Sequence, residues 1–186
     1  HECSSAASDV YKRQLIAHPG IRRFIIEDHH MALALRQVLI RQLPGAPMSL
    51  WELLAEWPEA GRVLDKPMRI QQLREALKSV RPTDPGLPAL LRVVQEWTEP
   101  GDGRLVNGPV LRLVEISPLP AVKLAAATAI CAPIPVGRCA RILRSADPDT
   151  ARAMLRGLGA SEDDAAADLL VTYADGDKRY ILTPAG

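Results

Sequence analysis

Apolar residues recur at helical spacing along most of this chain. Met31, Leu35, Val38 and Leu39 form a stripe within 28–43, wide enough to bury one face, and Pro44-Gly45 stops it. Ser49 and Glu52 have the spacing of a capping box, which predicts a short helix over 49–57, closed by Pro58. Ile70, Leu73, Leu77 and Val80 follow at i, i+3, i+7 and i+10, with Arg74 and Lys78 on the wet side. Leu90, Leu91, Val94 and Trp97 mark a helix over 87–97, and the pattern stays helical through 120–131 and 136–146. Asp147-Pro148 reads as an N-cap followed by proline at the first helical position, opening a helix that Gly157 to Gly159 end. Ser161 to Asp164 has capping spacing again, with acids where a helix N-terminus favours them.

Other stretches read differently. Ile21 to Ile26 is short, branched and apolar, a candidate strand interrupted by Arg22-Arg23, and Val63-Leu64 is a second, briefer one. The glycine- and proline-rich segment 98–109 is expected to be a loop. Val110 to Ile116 is open between strand and helix, because short apolar runs do not reveal their period. Asp175-Gly176 lies between Leu170–Tyr173 and Arg179–Leu182, a hairpin signal. The expected fold is therefore mainly α, with α+β open. A helical unit with one or two short strands spans 15–81, and a turn-rich linker 82–86. A helical domain over 87–186 closes in a β-hairpin. No internal repeat is visible.

Composition narrows the class. The 186 residues are 47% hydrophobic with 23 basic and 22 acidic side chains, enough apolar mass for a core and unlike a disordered or collagen-like chain. The longest apolar run, 124–136, is broken by Thr128, Pro133 and Pro135, so no membrane span is expected. A net charge of +1 is not the basic profile of a typical nucleic-acid binder. Phe24 and the three tryptophans carry most of the aromatic bulk, leaving the core to Leu, Val and Ala. Cys131 and Cys139, with seven residues between them, fit no zinc spacing and read as buried free thiols of a reducing, cytoplasmic compartment. Asp9 to Gln14 is what GAT-GTG-TAT-AAG-AGA-CAG encodes, a string that resembles the transposase mosaic end of sequencing adaptors. Residues 1–14 are thus expected to be a disordered artefact ahead of a bacterial, metagenomic reading frame.

Two stretches carry family resemblances. Ile25-Ile26-Glu27-Asp28 followed by an amphipathic helix resembles the first strand and acidic pair of bacterial response-regulator receiver domains. Val63-Leu64-Asp65-Lys66-Pro67 and the helix after it resemble that family's last strand, Lys-Pro and final helix. The resemblance implies a magnesium site at Glu27 and Asp28, with Lys66 facing a phosphoryl group. The only aspartate between Asp28 and Lys66 is Asp65, which adjoins the lysine, so what is matched is a degenerate or shortened receiver without a phosphoacceptor, or a coincidence of short motifs. The end of the chain, from Asp175 through Leu182-Thr183-Pro184-Ala185-Gly186, resembles the wing of bacterial winged-helix regulators. The resemblance places the groove-reading helix at 161–170. That segment carries Glu162, Asp163, Asp164 and Asp168 and no base, which would repel a phosphate-lined groove.

Candidate chemistry is thin. Adjacent His29 and His30 on a helix project about 100° apart, a poor chelating pair. No nucleophile motif, phosphate loop or zinc-protease string appears. Ser117, Ser145 and Ser161 read as turns and caps. Arg138, Arg141, Arg144, Arg152 and Arg156, with Lys178 and Arg179, are the candidate nucleic-acid contacts. Asp147 and Asp149 are their nearby counter-charges, and a salt-bridged helix surface is the competing reading. The expectation is a non-enzymatic regulatory or protein-interaction module with a protein partner and no cofactor or resident metal. The alternative is a winged-helix DNA-binding regulator.

Overall fold

The structure, a computed structural model, describes residues 18–161 and 164–176. Among the described residues ten α-helices follow one another: α1 (Pro19–Glu27), α2 (His29–Gln42), α3 (Met48–Glu56), α4 (Lys66–Ser79), α5 (Leu87–Trp97), α6 (Gly103–Ile116), α7 (Pro120–Thr128), α8 (Val136–Leu143), α9 (Pro148–Gly159) and α10 (Asp164–Gly176). A short 3-10 helix, Pro58–Val63, lies between α3 and α4. No strand occurs among the described residues. Sixteen prolines look hostile to such a chain, but α1, α4, α5, α7 and α9 each hold one at the first or second position. There the missing N–H has no intrahelical acceptor to lose, and the fixed φ suits the helix. Asp28, Asp65 and Asp147 cap α2, α4 and α9, each carboxylate accepting backbone N–H groups of the first turn.

Packing follows a regular order. Along the chain α3 packs on α5, α5 on α7 and α7 on α9; α4 packs on α6, α6 on α8 and α8 on α10. Cross-contacts join α4 to α5, α6 to α7, α8 to α9 and α9 to α10. The helices thus stand in two rows of successive pairs, each touching its neighbours, which is the packing order of an α-solenoid. One apolar core runs between the rows, from Leu39 to Ala166. α5 lies deepest: Leu87, Leu90, Leu91, Val93, Val94 and Trp97 are all buried. The turn at 82–86 connects elements of this shared core, and the Ser117 hydroxyl donates to Pro82 O across it at 2.7 Å. α1, α2 and the 3-10 helix pack on one another.

Two polar clamps lock the ends of the pairs. Trp97 stacks edge-on against Trp51 (centroids 6.4 Å apart) and its indole N–H donates to Pro58 O at 2.8 Å, fixing the 3-10 helix. Gly61 lies flat on that indole; a Cβ there would overlap the Trp97 ring. Asn107, buried in α6, donates to the carbonyls of Cys131 and Pro133 (2.6 and 3.0 Å) and accepts from Cys131 N–H at 3.2 Å.

Several sequence expectations give way here. Ile21–Ile26 is not a strand but part of α1. Residues 21, 22, 25 and 26 are half-buried and 23, 24 and 27 exposed, a helical alternation that Pro19 at the first position starts. Phe24 on this helix is 59% exposed. Val63 ends the 3-10 helix and Leu64 follows it, so the second short strand is absent too. The Ser49–Glu52 capping box does not form: the helix begins at Met48 after Pro47, which puts Ser49 inside the first turn. The expected loop 98–109 is already α6 from Gly103, with Pro109 within it. An interior proline costs about 3 kcal/mol, which the burial of Val106, Val110, Leu111, Leu113 and Val114 offsets. Leu170 to Tyr173, the expected first arm of the hairpin, is helical in α10. Lys178, Arg179 and the second arm lie outside the described residues, as do 1–14.

Candidate functional site

The receiver-like residues have separate local duties. Glu27 accepts from Arg23 Nε at 2.7 Å one turn away, and Asp28 caps α2 through Met31 N–H. Lys66 opens α4 and reaches Glu99 (3.0 Å) and buried Asp102 (3.2 Å), whose hydrogen bonds raise its pKa. Asp65 caps α4 and accepts from Arg36 at 3.1 Å. The acids and the lysine therefore sit at helix ends instead of strand ends, and Lys66 is held by acids of the α5–α6 connection. Among the described residues no group of three or more His, Cys, Asp or Glu side chains is placed to hold a metal ion.

The arginines divide. Arg138 forms a fork with Glu115, Nε–Oε1 at 3.1 Å and Nη2–Oε2 at 2.7 Å, and donates to Gly108 O at 3.0 Å. Arg141 lies 3.9 Å from the same carboxylate, and Arg152 pairs with Asp149 at 3.0 Å. Arg144 and Arg156 form no ion pair among the described residues. The Arg138 hydrogen bonds hold the Glu115 carboxyl below its ordinary value, so the acid stays charged at neutral pH. Glu115, 23 residues before Arg138 in the chain, is the counter-ion that local spacing could not reveal; Asp147, expected in that role, is instead the cap of α9. Burial pushes the Asp147 carboxyl up, but hydrogen bonds from Thr150 and Asp149 outweigh it and leave the pKa lowered. Asp164 and Asp168 of the acidic C-terminal helix are exposed. Cys139 is fully buried, which lifts its thiol to about 11, and Cys131 is half-buried and also raised. Neither is a ready nucleophile.

Two surfaces bear on binding. The first is on α2. Met31, Ala34 and Val38 are exposed at i, i+3 and i+7, one stripe of the helix, and Arg41 continues it at i+10. Phe24 is exposed on adjoining α1. α2 contains no acid; Arg36 is tied to Asp65, whereas Arg41 forms no ion pair among the described residues. The second is a cleft of about 320 Å³ where α6 and α8 end and α7 and α9 are near. No protein family, characterised protein or solved structure matches the chain.

Proposed function

We propose that the chain is a non-enzymatic interaction module whose first helix pair receives a helix of a protein partner on the exposed face of α2. The observation that carries this reading is the stripe Met31–Ala34–Val38. A helix face that stays in water ordinarily carries polar side chains. Here α2 turns out methionine, alanine and valine, 41% and 53% of Met31 and Val38 being exposed. The flanking charge is basic. A partner of matching chemistry is an amphipathic helix with an apolar stripe bordered by Asp or Glu, read as helix-on-helix docking. Arg138 and Arg152 are engaged by acids of the chain itself, which gives the DNA-binding alternative less support than the sequence spacing suggested.

The test is a fluorescence titration of the whole chain against two synthetic amphipathic helices with the same apolar stripe, one bordered by glutamates and one by lysines. The glutamate-bordered peptide binds saturably, more weakly as salt rises, and binding is lost in the Met31→Glu/Val38→Glu variant. Equal binding of both peptides, no binding of either, or binding indifferent to the double substitution overturns the reading.

A further inference from the structure

We infer that the cleft at the ends of α6 to α9 is a binding site for a small organic anion, a phosphate ester or carboxylate on a compact apolar body. This inference is independent of the α2 face. The cleft holds about 320 Å³, at the small end of ligand pockets. Val114 and Ile142 supply apolar wall, and both are buried members of the core. Lys123 of α7 and Arg141 of α8 line it as cations. Lys123 forms no ion pair among the described residues, and Arg141 has only the 3.9 Å approach to Glu115, an acid already gripped by the Arg138 fork. The cleft therefore has two cationic groups largely uncommitted and one carboxylate largely neutralised.

A third observation points the same way. Thr150, in the first turn of α9, lines the cleft and is 1% exposed, yet its hydroxyl makes no hydrogen bond of regular geometry. The Asp147 carboxylate lies near enough for that hydroxyl to help lower its pKa, but the carboxylate is already engaged by the N–H groups of Asp149 and Thr150. The Thr150 hydroxyl, weakly held by a carboxylate that two N–H groups already serve, can turn to an acceptor in the cleft. An oxyanion in the cleft would take the Thr150 hydroxyl as donor and the Lys123 and Arg141 cations as charge partners, while its apolar body lies against Val114 and Ile142.

Phenyl phosphate and inorganic phosphate are the probes, followed by amide chemical shifts of the whole chain. Phenyl phosphate shifts the amides of 115, 123 and 141–150 saturably, and inorganic phosphate, lacking the apolar body, binds several-fold more weakly. Lys123→Gln and Arg141→Gln each weaken phenyl phosphate by about tenfold, and Thr150→Val by a smaller factor. Glu115→Gln, which removes the competing acid and frees Arg138, tightens it. That gain separates a ligand site from a merely structural cluster, since a damaged fold would lose affinity in every variant. Absence of saturable shifts with either probe, or saturation unaffected by Lys123→Gln and Arg141→Gln, contradicts the assignment.

Discussion

Single side chains decide where the helix pairs meet. Asn107 is the clearest case, because its amide serves three backbone groups of the segment that leads from α7 to α8. Asn107→Ala strands two carbonyls and one N–H in a buried place, each worth about 1 kcal/mol or more. The expected loss is about 2–3 kcal/mol, a fall in melting temperature of about 5–10 °C at this chain length, read by thermal unfolding; a fall of under about 2 °C would show the clamp to be dispensable. Sequence reasoning passed over this residue because an asparagine between glycine, valine and proline looks like a turn former. Its partners lie 24 and 26 positions away. Lys66 has the same lesson in reverse: a Lys-Pro pair with a family look is the first turn of α4, held by Glu99 and Asp102.

At the scale of elements, periodicity carried far where a helix has one wet face. The helices beginning near 28, 66, 87 and 147 are in place, with a cap at Asp147 as the Asp-Pro pair implied. It failed where a helix is short or carries breakers. α1 has nine residues and isoleucines that favour strands in isolation; α6 carries Gly108 and Pro109 but is committed by five apolar residues of its buried face. Contacts between elements were less legible still. The Glu115–Arg138 fork ties α6 to α8, and its pH dependence has a definite sign. The folded carboxyl is held below 4.5, its ordinary value. The fork therefore stabilises fully above that value, and its contribution disappears as pH falls through the lower folded one. Because one side faces solvent, the amount is at most about 1 kcal/mol. Denaturant midpoints should drop more steeply on acidification for the wild type than for Glu115→Gln; parallel curves would show that the fork contributes nothing.

For the whole molecule, the arrangement of helices was hidden for a physical reason. Repeats in a helical stack need only present apolar stripes at compatible spacing, so pairs of unequal length, such as α4–α5 and α8–α9, can share one packing order without visible sequence repetition. The balanced charge also takes on a place: acids and bases pair across helices at Glu115, Asp65 and Glu99, leaving α2 without an acid. No helix of the described residues is long and apolar enough to cross a membrane.

Thermal unfolding of Met31→Glu/Val38→Glu beside Leu39→Ala tests this account most directly. Leu39 is the buried residue of the same helix, about 100° around it from Val38, and its truncation should cost about 2–5 kcal/mol, about 5–15 °C. If the stripe is a free docking face, the double glutamate variant melts within about 2 °C of the wild type, since Glu suits an exposed helix and neither side chain is needed by the core. A loss as large as that of Leu39→Ala would place Met31 and Val38 in the packing of the molecule itself, and the docking face would not exist.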